Sequence, residues 1–201
     1  MDKAARSSLR QQLRAKRRAL SEIEQRAAAH QATRHVCQAG LFKRHRDIAF
    51  YLANDGEIDP SGLLTLAHQQ QRRCYLPVLA PDNSLWFVRY RPGDKMKKNR
   101  FGILEPVQRN QYKKPWSLGL VFLPLVGFDR RGGRLGMGGG FYDRSFKTIK
   151  RSPLMLHPEL IGLAHQCQHI ESLTLASWDI PLSKIVTDKE VIIIKPRVYR
   201  E

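Results

Sequence analysis

A glycine-rich loop with an arginine and an aspartate carries the clearest chemistry in this sequence. Six of the nine residues at 132–140 are glycine, Arg134 lies among them, and Asp143 follows shortly after. Glycine lets the backbone wrap an anion, and the N–H groups at the start of a helix point towards it. Arginine adds a fork of donors for phosphate oxygens. The loop therefore predicts a phosphate site, with Asp143 placed to hold a Mg²⁺ whose other ligands are phosphate and water.

Alternatives for this loop stay open at the level of the sequence. The segment lacks the GK[ST] of a P-loop, and its glycines at 136, 138, 139 and 140 do not give the GxGxxG spacing. A mobile surface loop is the simpler interpretation, although so many glycines are entropically costly in a plain connection. Asp143 would then be a favourable partner of the dipole of the following helix.

Positive charge is the second feature that suggests chemistry. The 201 residues include 35 Lys and Arg against 18 Asp and Glu, a formal charge of +17, and the excess lies mainly in residues 1–50 and 101–150. Arg6, Arg10 and Arg14 recur at helical spacing, where stacked like charges repel by roughly a few tenths of a kcal/mol per pair unless an anion lies over them. The column is either a solvated basic face or a stripe that faces an anion, and the charge as a whole favours an anionic partner.

Composition excludes several classes of protein. With 42% hydrophobic and 8% aromatic residues, the chain is not depleted as a disordered chain is. Its longest nearly apolar stretch, 118–128, is about half of the roughly 20 residues that a bilayer span needs. Three widely spaced cysteines and seven scattered histidines favour neither a disulfide framework nor a histidine metal site. No secretory signal is visible, so we expect a cytoplasmic protein.

Helices that alternate with strands must position these residues. Ser21 and Glu24 form a capping box, which predicts one helix that ends near residue 19 or 20 and a second from Glu22 to about residue 39. Asp59 as N-cap and Pro60 at the first helical position predict a third helix to about residue 71. A fourth helix is expected at 141–150, after the glycine loop.

Apolar runs between these helices predict the strands. We expect strands at 48–52, 74–79, 85–90, 119–126, 160–164 and 191–194, with a hairpin turn at 81–83 and an irregular segment at 92–115. Alternation of strands and helices predicts an α/β fold, a mostly parallel central sheet flanked by helices on both faces in three layers. We expect a single domain over residues 1–201.

The glycine loop also resembles the signature of the 5-formyltetrahydrofolate cyclo-ligases, also called 5,10-methenyltetrahydrofolate synthetases. The family pattern after a strand is approximately F-D-x-x-G-x-R-L-G-x-G-x-G-Y-Y-D-R, and it is matched at Phe128, Asp129, Gly132, 134–136, Gly138, Gly140 and 142–144. Further similar features, in chain order, are Leu9, Arg10 and Arg14; 50–52 with Glu57; 101–103 with 105–106; 178–181; and 186–188. The sequence departs from the family at Arg6, where Lys is frequent, at Met137, where Tyr or Arg is, and at Phe141, where Tyr is.

The resemblance implies a ligase of folate one-carbon metabolism that uses ATP and Mg²⁺. Such an enzyme cyclises 5-formyltetrahydrofolate to 5,10-methenyltetrahydrofolate and releases ADP and phosphate. ATP would phosphorylate the formyl oxygen, and N10 would then attack the carbon of this imino-phosphate. Because phosphoryl transfer needs positioning and charge neutralisation more than a nucleophilic side chain, the residues present suit it.

The resemblance also implies a role for particular residues. Arg134 and Asp143 would be catalytic. ATP would be bound by Arg6, Arg10, Arg134, Leu135, Gly136, Met137, Gly138, Gly139, Gly140, Phe141 and Tyr142. The folate would contact Leu52, Glu57, Met137, Gly138, Gly139, Gly140 and Phe141, with Glu57 accepting hydrogen bonds from the amide edge of the pterin. Mg²⁺ would be held by Asp143 and Asp179, with Asp188 as the alternative to Asp179.

Two other functions remain possible on the sequence alone. A basic nucleic-acid-binding module without catalysis would use the first helix as its electrostatic footprint, but no RRM, KH or zinc-finger pattern is visible. A relative that only binds folate would explain the departures at Arg6, Met137 and Phe141. We expect small-molecule partners, no specific nucleic acid, no membrane and a monomer. Trp178 either stacks on the substrate or packs in the core.

Overall fold

Two helices precede the sheet. The computed structural model describes residues 2–108, 110–147, 157–174, 179–180 and 182–195. Helix α1 spans Lys3–Arg18 and α2 spans Glu22–Gln38. The predicted capping box forms, because the Ser21 hydroxyl accepts from the N–H of Glu24 and the Glu24 carboxylate accepts from the N–H of Ser21 at 2.8 Å. Both helices agree with the prediction to within two residues.

An eight-stranded sheet forms the centre of the fold. Its strands in chain order are β1 Asp47–Ala49, β2 Arg73–Leu79, β3 Leu85–Tyr90, β6 Tyr112–Lys113, β7 Leu120–Pro124, β10 Glu159–Leu163, β11 Lys184–Val186 and β12 Val191–Ile193. Two small hairpins lie outside it, β4 Met96–Lys98 with β5 Leu104–Pro106, and β8 Gly127–Phe128 with β9 Arg134–Leu135. The remaining helices are α3 Ser61–Gln69 and α4 Phe141–Ser145.

The order of strands across the sheet is β12-β11-β10-β7-β1-β2-β3-β6. The five strands from β11 to β2 run parallel, and β12, β3 and β6 pair antiparallel at the two edges. At the middle, Ile48 of β1 pairs with Cys74 of β2 on one side and with Leu120 of β7 on the other. The chain therefore continues from β1 to β2 on one side and later returns to β7 on the other side of β1. A reversal of strand order of this kind opens a crevice at the carboxyl ends of the strands.

Apolar side chains cover both faces of the sheet. On one face Ile48, Phe50 and Phe122 pack under α2 and α3, which contribute Val36 and Leu63. On the opposite face Val121 and Phe87 pack with Phe146, which directly follows α4. These two layers confirm the predicted α/β fold with a mostly parallel sheet.

Some predicted boundaries differ from the observed ones. Strand β1 ends at Ala49 rather than at residue 52, because Tyr51 turns away and donates from its hydroxyl to the carbonyl of Ile58 at 2.5 Å. Helix α3 has Pro60 as N-cap, and the Asp59 carboxylate binds the Ser61 N–H at 2.9 Å instead. Helix α4 ends at residue 145, short of the predicted 150, and residues 148–150 lie outside the described part.

Five short pairings were not predicted: β4 with β5, β6 at the sheet edge, β8 with β9, and β11 with each of its neighbours. Each new strand has two or three residues, which is too short to show a period of two in the sequence. Among the described residues, no helix combines the length and the apolar character that a membrane crossing needs.

Candidate active site

A cavity of about 1310 Å³ opens at the carboxyl ends of the central strands. Leu123 and Pro124 at the end of β7, Leu79 at the end of β2, and Leu52 after β1 line its floor. This is the crevice that the strand order predicts. Its volume exceeds the 300–1,000 Å³ of an ordinary single-ligand pocket, so it has room for two ligands side by side.

Nearly all the residues predicted for the site line this one cavity. They are Arg6, Arg10, Leu52, Glu57, Arg134, Gly136, Met137, Gly138, Gly139, Gly140, Phe141, Tyr142, Asp143 and Asp179. Leu135, predicted at the ATP site, does not line the cavity: its side chain is fully buried beside Leu13 and Val126. Leu135 therefore anchors the loop from behind.

The glycine loop is held in place by a buried aspartate. The Asp129 carboxylate accepts hydrogen bonds from the N–H groups of Gly133 at 2.7 Å and Leu173 at 2.8 Å. A side chain at residue 133 would collide with it, because an added Cβ lies 2.6 Å from an Asp129 carboxylate oxygen. Further along, Gly138 and Gly140 have φ of +98° and +66°, so the loop bends where only glycine is unstrained. The surface-loop interpretation does not account for this anchoring.

Arg134 and Asp143 contact each other. The Arg134 side chain is 7% exposed and donates to the Asp143 carboxylate and to the carbonyl of Ile180. The N–H of Ile180 approaches the same Asp143 oxygen at 3.4 Å. Arg134 thus orients Asp143 and joins the glycine loop to residues 179–180, so it does more than the phosphate contact that the sequence predicted.

A second carboxylate, Asp179, lies on the same wall. Arg6 pairs with Asp179 at 3.5 Å, and both line the cavity. Asp188 instead accepts from the N–H of Gln166 at 2.7 Å and does not line the cavity, so the geometry favours Asp179 over Asp188. Trp178, the predicted stacking residue, is outside the described residues.

The carboxylates suit Mg²⁺ carried in by a nucleotide. Among the described residues, no three His, Cys, Asp or Glu side chains cluster as a protein-built metal site would need. Mg²⁺ instead takes one or two carboxylates and completes its octahedron with phosphate oxygens and water. Asp143 and Asp179, on one wall beside the glycine loop, fit that arrangement.

Cations from α1 line the wall near the glycine loop. Lys3, Arg6 and Arg10 face the cavity, and Arg10 donates to the carbonyl of Gly136 at 2.8 Å. Burial and the neighbouring Arg6 lower the pKa of Arg10, which means that the two guanidiniums crowd each other. A bound anion would relieve this repulsion. Of the predicted column, Arg6 and Arg10 therefore line the cavity, where an anion could lie over them, whereas Arg14 pairs with Asp55 at 2.7 Å.

Glu57 also lines the cavity, with Leu52 and Tyr51, and lies near the glycine loop, because the same nitrogen of Arg17 contacts Glu57 and, at 3.9 Å, the sulphur of Met137. Its side chain is 10% exposed and accepts from the N–H of Asn54 at 3.2 Å, while a guanidinium nitrogen of Arg17 lies 3.7 Å from its other oxygen. Burial raises the pKa of Glu57 to about 7, against the opposing effect of Arg17. Such a carboxylate accepts two hydrogen bonds from a planar N–H donor pair.

Sequence reasoning missed three contributions to the site. Arg17 is completely buried and Asp55 binds three arginines, yet both looked like surface charges in a basic helix and a polar loop. The β4–β5 hairpin places Phe101 over the ring of Phe141, with ring centres 5.5 Å apart. The Leu-Arg spacing of the first helix and the 101–103 segment, both similar to the family pattern, were the available signals.

Comparison with known proteins agrees with this geometry. The sequence profile of the 5-formyltetrahydrofolate cyclo-ligase family matches residues 2–188. The chain belongs to this family. Among relatives, the 5-formyltetrahydrofolate cyclo-ligase of Haemophilus influenzae is 38% identical over 189 residues, covering 92% of this chain and 99% of that protein. The cyclo-ligase of Escherichia coli K12 is 38% identical over 183 residues, covering 89% of this chain and 98% of that protein.

Solved structures of the family share the fold. The NMR structure of Aquifex aeolicus 5,10-methenyltetrahydrofolate synthetase superposes with a TM-score of 0.81 at 29% identity, over 98% of this chain and 96% of that one. The 5,10-methenyltetrahydrofolate synthetase from Mycoplasma pneumoniae gives 0.71 at 26% identity, over 94% and 99%. The resemblance seen in the sequence is therefore confirmed along nearly the whole chain.

Proposed function

We propose that this family member is a single-domain enzyme that closes 5-formyltetrahydrofolate to 5,10-methenyltetrahydrofolate at the expense of ATP. One observation carries the proposal: a single cavity is lined by a cationic glycine-rich loop and by apolar side chains with a buried carboxylate, Glu57. The cations and the glycine loop suit a triphosphate, and the apolar lining with its carboxylate suits a pterin. The size of the cavity leaves room for both ligands at once.

The reaction needs two bond changes at one carbon. The formyl oxygen attacks the γ-phosphorus of ATP and ADP leaves, which converts a poor leaving group into a phosphate ester. N10 then attacks the formyl carbon, the C–O bond breaks with release of phosphate, and the N10 proton passes to solvent. No covalent bond to the protein is required, so catalysis rests on orientation and on neutralising the phosphates.

Each wall of the cavity supplies one part of this. Arg6, Arg10 and the backbone of residues 136–140 would hold the phosphates. Glu57 would accept the N–H donors of the pterin edge and fix the folate so that its formyl oxygen faces the γ-phosphate. Asp143 and Asp179 would hold Mg²⁺, which when bound neutralises phosphate charge. Arg134 keeps the Asp143 carboxylate turned towards the cavity.

The test is formation of the conjugated methenyl product, followed by absorbance. We expect turnover of 5-formyltetrahydrofolate with ATP and Mg²⁺, one ADP for each product, and none when ATP is omitted or the metal is chelated. A matched reaction with a non-hydrolysable ATP analogue controls for simple binding. Absence of product at saturating folate and ATP, with a folded protein, would overturn the proposal and favour a relative that only binds folate.

A further inference from the structure

Arg17 is a buried arginine that contacts two backbone carbonyls, two carboxylates and the sulphur of Met137 behind the cavity wall. Its side chain has no exposed surface. Its Nε donates to the carbonyl of Asp55 at 2.8 Å, and its Nη1 donates to the carbonyl of Leu125 at 3.1 Å. Its Nη2 lies 2.8 Å from the Asp55 carboxylate and 3.7 Å from that of Glu57. The two carbonyls fix the plane of the guanidinium, so the position of Nη2 does not depend on either carboxylate.

This arginine helps to hold the loop that carries Glu57, together with the buried Ile58 that follows it. Asp55 and Gly56 have φ of +55° and +75°, so two consecutive residues are left-handed just before Glu57. The carbonyl of Gly56 contacts the His165 ring nitrogen at 3.1 Å. Because a left-handed aspartate is strained, outside contacts must stabilise this conformation. Those contacts come from α1 and from His165.

The charges around Glu57 sum to a small positive excess. Asp55 pairs with Arg14 at 2.7 Å and with Arg18 as well as with Arg17, so three guanidiniums face two carboxylates. Asp55 and Glu57 thus compete for the same Nη2 of Arg17, and Asp55 holds it more closely. The charged or titratable groups around Glu57 are Arg14 and Arg17 of α1, Asp55 of its own loop, Tyr51 after β1, Tyr142 of α4 and, against the Gly56 carbonyl, His165 after β10.

We propose that Arg17 is a positioning residue for the folate: its buried guanidinium favours the ionised form of Glu57 against the effect of burial and directs the carboxylate into the cavity, and Asp55 limits how strongly it does so. The proposal rests on the proposed function, because it takes Glu57 as the group that binds the pterin. Arg17 itself does not line the cavity. Its effect on the pH dependence comes through Glu57, since an ionised carboxylate accepts both pterin donors and a protonated one does not, whereas its other neighbour in the cavity wall, the sulphur of Met137 at 3.9 Å, does not titrate.

The experiment measures the dissociation constant of 5-formyltetrahydrofolate by calorimetry from pH 5.5 to 9, without ATP. In the unmodified protein, binding should weaken as the pH falls below about 7, where Glu57 takes up a proton. This loss of affinity on the acid side is the acid limb of the pH profile. In Arg17→Met the limb should move to higher pH by about 1–3 units, because the opposite charge nearest to Glu57 is gone. At pH 7 the dissociation constant should then rise by at least about fivefold.

A second variant predicts the opposite shift. Asp55→Asn removes the carboxylate that competes with Glu57 for Nη2 of Arg17, and with it a like charge beside Glu57. The limb should therefore move to lower pH. Arg18→Met is the matched control, because Arg18 contacts Asp55 but its side chain is half exposed. It removes the same unit of charge and should leave the limb in place. In Glu57→Gln the limb should vanish, and adding Arg17→Met to that background should change the affinity little.

Each outcome decides the question. A limb that stays in place in Arg17→Met, or that moves upward in Asp55→Asn, would overturn the role of Arg17. Should Arg17→Met not fold, as thermal unfolding would show, Asp55→Asn alone decides by the direction of its shift. Wild-type binding with the expected limb but without turnover would contradict the proposed function and leave this inference standing. A dissociation constant that is independent of pH in the wild type contradicts the inference even when turnover is normal.

Discussion

Replacing Glu57 by glutamine should make the protein more stable at neutral and alkaline pH. Glutamine keeps the size and the acceptor oxygen of the side chain but cannot ionise. In the native protein the carboxyl is buried and its pKa is about 7, against an ordinary value of 4.5. The folded state therefore holds a proton that the unfolded state has already lost between these two values, so the stability of the native protein falls as the pH rises through that window.

The size of the effect comes from the gap between the two pKa values. A gap of about 2.5 pH units corresponds to about 3 kcal/mol, because one unit is worth about 1.4 kcal/mol. Most of this, about 2.5 kcal/mol, should develop between pH 5 and pH 8. For a chain of this size that is about 5–10 °C in melting temperature. Glu57→Gln does not lose this stability. Between pH 5 and pH 8 its free energy of unfolding should therefore rise by that amount relative to the native protein.

Thermal and denaturant unfolding at pH 5, 6.5 and 8 measure the difference. The control is Glu22→Gln, which removes one carboxylate from a side chain that is 91% exposed and should leave the pH dependence unchanged. The gain in Glu57→Gln should grow with pH, while 5-formyltetrahydrofolate binds more weakly. An equal difference between the two proteins at pH 5 and pH 8 would refute the reasoning, because the buried carboxyl would then titrate in the same way in both states.

Three further changes test other parts of the site. Asp143→Asn should lower activity by about 100-fold or more, because Mg²⁺ loses a charged ligand, while the melting temperature stays the same, because Arg134 keeps an acceptor. Unchanged kinetics would leave Asp143 as a partner of the helix dipole only. Arg10→Ala should raise KM for ATP by about tenfold or more; an effect confined to the folate would assign the stripe to the other ligand. Asp129→Ala should lower the free energy of unfolding by about 3 kcal/mol, because two buried backbone N–H groups lose their acceptor, and the melting temperature should fall by about 6–12 °C. An unaltered melting temperature would show that the glycine loop is not anchored there.

Local signals predicted the helices and the long strands well. The capping box at Ser21 and Glu24 fixed the junction of α1 and α2, and turn residues at 81–83 placed the β2–β3 hairpin. Where the prediction was wrong, a tertiary contact decided the outcome. The apolar run at 48–52 reads as one strand, but only its first part pairs in the sheet, while Tyr51 and Leu52 line the cavity.

The candidate site was predictable where glycine spacing and the family pattern mark it. The direct partners of those residues were not. Arg17 differs from its neighbours Lys16 and Arg18 only in the direction in which the helix points it, and that direction depends on how α1 packs against residues 125–127. Likewise, Asp55 belongs to a polar loop by sequence, and only the fold brings three arginines to it. The sequence does place Arg17 four residues after Leu13, on the apolar face of α1, but it does not show which groups meet the guanidinium there.

Helix α1 contacts two of the loops that line the cavity. Arg10 contacts the glycine loop and Arg17 contacts the loop of Glu57, and the distance along the helix from Arg6 to Arg17 is about 16 Å. Arg6, Arg10 and Arg17 lie on the same helix. If a nucleotide moves Arg6 and Arg10 towards its phosphates, Arg17 moves with them. The two substrates are then thermodynamically linked: by whatever factor ATP changes the affinity for folate, folate changes the affinity for ATP by the same factor.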